Sequence, residues 1–258
     1  MKRLRNIENS IIPAVFFMVL LIAWQLSVDM GGISRTLLPS PTDIGSTLIE
    51  ILPSIQGHIL VTMTEAFAGF FLSILLALIL AILMDSIKLL KKAIYPILVV
   101  SQTVPLIVLA PLFVMWFGYG ILPKIIVVVL VCFFPILISL LDGLSSVDMD
   151  MINLLKSMKA SRLQIFRLVK FPGAMVSFFS GLRIAATYSI MGAVIGEWMG
   201  GRAGLGIYMT RVKHSFAYDK TFAAIVVIVI LSMLVFYTVK LLQKLIMPWS
   251  IEIEKNRR

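Results

Sequence analysis

Six apolar stretches constrain this chain more than anything else in it. Four are long enough to cross a bilayer and two more nearly are. A bilayer core offers no water to backbone N–H and C=O groups, so a spanning segment has to satisfy them itself, as a helix of about 20 mainly apolar residues does. On that basis the 258-residue chain has spans at roughly 11–28, 59–84, 93–117, 121–141, 176–200 and 222–246. With 60% of residues apolar and 14% charged, the expected fold class is all-α, a polytopic membrane protein with six transmembrane helices. These spans take up about half the chain, and a single transmembrane domain over 1–258 is expected, with no second soluble domain.

A net charge of +10 could point to nucleic acid or an acidic partner, so the position of the charge matters. The amino-terminal "MKRLR" leads into apolar sequence without a small-residue cleavage site, which reads as a retained anchor. If that end is cytoplasmic, the inside segments 1–10, 85–92, 142–173 and 240–258 carry sixteen Lys and Arg, and the outside segments 29–57, 118–124 and 201–220 carry six. The positive-inside rule favours that orientation, with both termini cytoplasmic, and the basic excess becomes topological. No nucleic-acid partner is expected.

The side chains that usually carry chemistry are sparse. Cys132 stands alone in the fourth span and reads as a core residue, with no disulfide possible within the chain. His58 and His214 fall in different outer segments at no metal-ligand spacing, so no metal site is expected. There is no phosphate loop, no H-E-x-x-H, no G-x-S-x-G and no carboxylate pair at catalytic spacing. Within the spans, Glu65 lies toward the outer end of the second, while Arg183 and Glu197 lie toward opposite ends of the fifth. Glu65 and Arg183 are not expected to pair. Arg183 reads as snorkelling to the inner interface, and Glu197 as an outer-interface residue. An ion-coupled transporter would need more carboxylates near the midplane. A membrane enzyme using Glu197 with Tyr188 would have to bridge about 13 Å along one helix.

The segment "DMDMINLLKSMKASRLQIFRLVKFPG" (148–173) holds five basic residues and an ordered apolar pattern. Met151, Leu154, Leu155 and Met158 recur at helical spacing on one face, and Asp148 and Asp150 suit the positive end of that helix. Ser161-x-x-Gln164 reads as a capping box opening a second short helix, which Pro172 should end. Such a hairpin could lie on lipid headgroups or present its apolar face to a groove on a partner protein.

Placed between the fourth and fifth of six spans, "NLLKSMKASRLQIFRLVKFPGAM...GLRIA" resembles the coupling loop of the permease subunits of ABC importers. Asn153, Leu154 and Leu155 stand where that loop has Glu-Ala-Ala, and Lys159 stands at its usual glycine. Ala160 and Ser161 match the following "A-S", and Phe171-Pro172 the pre-helix proline. A lysine there either adopts a left-handed conformation at about 1 kcal/mol or avoids that geometry. "LLPSPTDI" (37–44), "AGF" (68–70), "SQTVPLIVLAPLFVMWFGYGILPK" (101–124), "GLRIA" (181–185) and "GEWMGGRAGLG" (196–206) extend the likeness, in order, over nearly the whole chain. They are similar to permeases for alkanesulfonates, taurine, nitrate and pyrimidine thiamine precursors. "TEAFAGF", "LMD", "WFGYG", "AATYSIMGAVIGEW" and "MPW" look most like the thiamine-precursor group.

The resemblance implies a type I importer permease fold in a bacterial cell membrane and a complex of two permease copies, two cytoplasmic ATPases and an extracytoplasmic solute-binding protein. Catalytic residues and cofactors are expected to be none in this chain. The coupling contact would fall on Met151, Asn153, Leu154, Leu155, Met158, Lys159, Ala160 and Ser161. A pathway between the copies would be lined by polar residues that are costly in lipid: Ser101, Gln102 and Thr103 beside helix-bending Pro105 and Pro111, and Thr187 and Tyr188 in the fifth span. Ser189 and Gly192 read equally well as helix packing. Arg202, Arg211 and Lys213, after the fifth span, would dock the binding protein.

Overall fold

The structure, a computed structural model, describes residues 2–248, and side chains from Ile11 onward. The basic residues of "MKRLR", Lys255, Arg257 and Arg258 of the other terminus, and Trp249 of "MPW" lie outside the described side chains. The described residues form helices α1 (Lys2–Asp29), α2 (Pro41–Ser86), α3 (Lys88–Ser101), α4 (Leu106–Phe117), α5 (Leu122–Ser145), α6 (Met149–Ser157), α7 (Arg162–Ile165), α8 (Phe171–Gly200), α9 (Leu205–His214) and α10 (Tyr218–Ile246). A π-helical turn, Phe166–Lys170, joins α7 to α8. Five helices are long and apolar enough to span a membrane, and the bent pair α3 and α4 makes a sixth if counted as one span. The chain is therefore an all-α polytopic membrane protein.

The expected third span at 93–117 is not one helix: α3 and α4 meet at a bend of 99°. Pro105 explains the break, because it has no N–H to donate and pushes the residue before it out of the helical region. Its extended ψ of 116° places it as the N-cap of α4, after α3 has ended at Ser101. The helix that carries the second span begins well before residue 59, because "PSPTD" starts it. Ser40 Oγ accepts from the Asp43 amide and Asp43 Oδ2 from the Ser40 amide, each at 3.2 Å, with Pro41 at the first helical position.

The chain divides into two compact units. In the first, Met1–Gly57 with Tyr208–Val227, Gln25 bonds to both Asp29 and Thr42, and Trp24 meets Phe222 edge to face at 6.4 Å. Thr47 donates to Asp219 at 3.4 Å. The second unit, His58–Ile207 with Ile228–Arg258, holds the main apolar core, and α5 packs along α8. Small residues allow that approach: a Cβ on Gly181 would overlap the Pro135 carbonyl and Ser139, and one on Gly192 would press on the Val128 backbone. Gly192 and buried Ser189, whose hydroxyl bonds back to the Ala186 carbonyl, thus serve packing. Cys132 is fully buried, with its thiol against the Ala185 carbonyl.

Candidate functional site

The hairpin at 148–173 is built from local rules. Asp148 Oδ1 accepts from the Asp150 amide at 2.8 Å, capping α6, and Lys156 lies in the last turn, where the helix dipole favours a cation. Lys159 then adopts φ 61°, the left-handed option. Its amide bonds to the Lys156 carbonyl and that of Ala160 to the Leu155 carbonyl, the double closure of a helix ending on a left-handed residue. Ser161 and Gln164 form the capping box, with Gln164 Oε1 accepting from the Ser161 amide at 2.7 Å and Ser161 Oγ from the Gln164 amide at 3.3 Å.

Pro172 does not end the second helix as its position suggested. The π turn absorbs it: the Phe171 amide reaches back five residues to the Phe166 carbonyl, shifting the register before the proline so that helix continues from Arg162 to Gly200. Lys170 in that turn grips both carboxylate oxygens of Asp85 on α2, at 2.7 and 2.9 Å.

Ile152 and Ile165 face inward and anchor the hairpin, whereas Met151, Leu154 and Met158 are more than half exposed. Leu155 and Ala160 are half-buried, and Asn153, Lys159 and Ser161 are exposed. A groove of about 370 Å³ lies beside them, lined in part by Met151, Leu168, Val169 and Pro172. Apolar side chains displayed among Lys156, Lys159, Arg162 and Arg167 suit a protein surface with a partly apolar cleft.

The pathway candidates occupy two elements. Ser101, Gln102 and Thr103 fall at the break between α3 and α4, with Gln102 and Thr103 exposed. The Ser101 and Thr103 hydroxyls bond back to the Leu98 and Val100 carbonyls. In α8, Thr187 bonds back to the Arg183 carbonyl, while Tyr188 joins Ile184, Met191 and Trp198 in an exposed stripe. Arg183 does not snorkel free: it is half-buried, and its guanidinium donates to Gln243 Oε1 at 2.7 Å and Ser180 Oγ at 3.2 Å, since Gln243 on α10 lies within reach.

Glu197 does not face lipid or solvent. It is fully buried, as are Thr62 and Glu65. After α8 the chain folds back through 201–204, and the opening amides of α9 turn toward the carboxylate: Gly206 N–H donates to Oε2 at 2.5 Å and the Thr62 hydroxyl to Oε1 at 2.6 Å. Gly204 (φ 119°) has to be glycine, since a Cβ there would overlap the Glu197 carboxylate. "GGRAGLG" is thus shaped by an internal contact, which the sequence reading did not foresee. Lys124, expected as an outer-loop charge, is also buried and pairs with Glu65 at 2.7 Å. A carboxylate in the last turn of a span, followed at once by closely spaced glycines, is the one sequence signal that could have shown this. Arg202, in the turn, and Arg211 and Lys213, in the last turn of α9, are all exposed.

Residues 69–250 match the family of the inner membrane component of binding-protein-dependent transport systems, and the chain belongs to that family, the permeases of ABC importers. It is 39% identical over 238 residues to the formylaminopyrimidine transport permease ThiX of Halalkalibacterium halodurans, covering 92% of this chain and 95% of that one. It is 32% identical to the riboflavin transport permease RibX of Chloroflexus aurantiacus, with 96% and 95% covered. Against the putative aliphatic sulfonates permease SsuC of Bacillus subtilis it is 28% identical, with 96% and 89% covered. These relatives are transport permeases, not enzymes.

Proposed function

We propose that this chain is the permease subunit of an ATP-driven importer, working as two copies with two cytoplasmic ATPase subunits and an extracytoplasmic solute-binding protein. The observation that carries the reading is the hairpin: two capped turns hold Met151, Leu154 and Met158 outward, a shape suited to a groove on the ATPase. ATP closing the ATPases would move the hairpin, and the unbroken helical path from Arg162 into α8 would carry that movement into the bundle. Both termini are assigned to the cytoplasmic side by the basic asymmetry. The cargo is assigned to a thiamine-precursor pyrimidine or related heterocycle on the likeness to ThiX; riboflavin, sulfonates, taurine and nitrate are the alternatives that other relatives suggest.

Ion coupling through Glu197 is disfavoured, because both of its oxygens are bonded within the chain, by Thr62 and by the Gly206 amide; Glu65 pairs with Lys124 through Oε1 alone.

The test is Leu154→Asp with Met158→Asp, two sites 63% and 70% exposed, which leaves the anchors Ile152 and Ile165 in place. Each side chain is worth at most about 1.5–3 kcal/mol if the partner buries it fully. The double variant is expected to insert in the membrane but to lose the ATPase in a pull-down and to lose ATP-driven uptake. Full retention of the ATPase would remove the hairpin from the coupling contact and leave lipid headgroups as its surface.

A further inference from the structure

Three consecutive amides at the turn after α8 are held by side chains of the bundle. The Gly204 N–H donates to His58 Nδ1 at 3.0 Å, Leu205 N–H to Thr62 Oγ1 at 2.9 Å and Gly206 N–H to Glu197 Oε2 at 2.5 Å. Thr62 is the centre of the arrangement, since its oxygen accepts from the turn on one side and its hydroxyl proton, also within reach of the His58 carbonyl at 3.1 Å, lies closer to Glu197 Oε1 at 2.6 Å on the other. The first amides of a helix lack intrahelical partners and usually take water or a local cap. Here the partners come from α2 and α8, so the start of α9 is fixed to two spans at once. Glu65 stands three residues beyond Thr62 on α2 and its ion pair with Lys124 ties α5 to the same place.

Burying a carboxylate, an ion pair and a hydroxyl costs more than packing the same volume with apolar groups, and what such a network supplies is a fixed geometry. Its outer member is the turn bearing exposed Arg202. We infer that Thr62 and Glu197 are positioning residues for transport: they clamp the Arg202 turn to α2 and α8, so that a protein partner pressing on that turn moves both helices together. The inference rests on the proposed importer reading for the partner, though the clamp itself does not depend on it. Neither residue touches solute. Their effect is exerted through the turn.

The experiment uses Thr62→Val, which keeps the shape but loses every hydrogen bond of the hydroxyl, and Thr62→Ser, which keeps them. In the purified permease, hydrogen–deuterium exchange at Gly204–Gly206 is expected to rise about tenfold in Thr62→Val and to stay near wild type in Thr62→Ser. In vesicles holding the permease with its ATPase, Thr62→Val is expected to keep basal ATP hydrolysis while losing most of the stimulation given by the loaded binding protein, and Thr62→Ser to retain it. Unchanged exchange in Thr62→Val would overturn the clamp. Faster exchange with full stimulation would overturn its role in transmission. A wild-type complex that does not respond to the binding protein would refute the proposed coupling to that partner, while the exchange data would still decide the clamp.

Discussion

Lys159 shows how much a single position reveals. It takes φ 61° to close α6 and begin the capped turn at Ser161, where the resembling family has glycine. An L residue in this conformation costs roughly 1 kcal/mol, and glycine would remove that cost while adding freedom to the unfolded chain. Lys159→Gly should therefore be tolerated, with stability changed by no more than about 1 kcal/mol and uptake preserved. The measurements are amide exchange across 153–165 and solute uptake. Loss of uptake with the hairpin intact would make the lysine side chain a contact in its own right. Thr62, Glu65, Lys124 and Glu197 are the opposite case, because their identity makes sense only through partners remote in sequence.

At the level of elements, the break between α3 and α4 is the feature with most consequence. Non-helical backbone at membrane depth is tolerated only when protein covers it or water reaches it, and Gln102 to Pro105 are exposed on this chain. A watered pathway or a second copy would answer that need. Gln102→Leu and, on the α8 stripe, Tyr188→Ala are expected to lower transport severalfold while membrane insertion and ATPase binding stay at wild-type levels, as read by uptake and pull-down. Unchanged uptake in both variants would remove them from the pathway. The π turn before α8 is a second device at this scale: it lets a proline sit in a continuous helix, and the Lys170–Asp85 pair holds the register shift against α2.

For the whole molecule, the orientation can be tested with what the fold supplies. Cys132 is the only cysteine and is fully buried, so the wild type should give almost no background with a membrane-impermeant thiol reagent. Arg202→Cys should label in intact cells and Ser157→Cys only after the membrane is opened, if the orientation proposed from the basic asymmetry holds. The reverse pattern would invert the assignment and with it the sides given to the ATPase and the binding protein.

Local or periodic features were legible in the residues alone. Apolar run length gives the spans because the bilayer sets their length, and short-range hydrogen bonding gives the capping box at Ser161 and Gln164 and the helix start at Asp148. The sequence also left Lys159 two options, and the fold took the left-handed one. Tertiary structure alone decided the rest. It paired Lys124 with Glu65 across 59 residues, Thr62 with Glu197 across 135 and Lys170 with Asp85 across 85, and it joined Arg183 to Gln243. No spacing rule announces such pairs. Each arises because helix packing brings remote polar groups together, and for Lys124 with Glu65 and Thr62 with Glu197 it does so where they are cut off from water and take their partners from the protein.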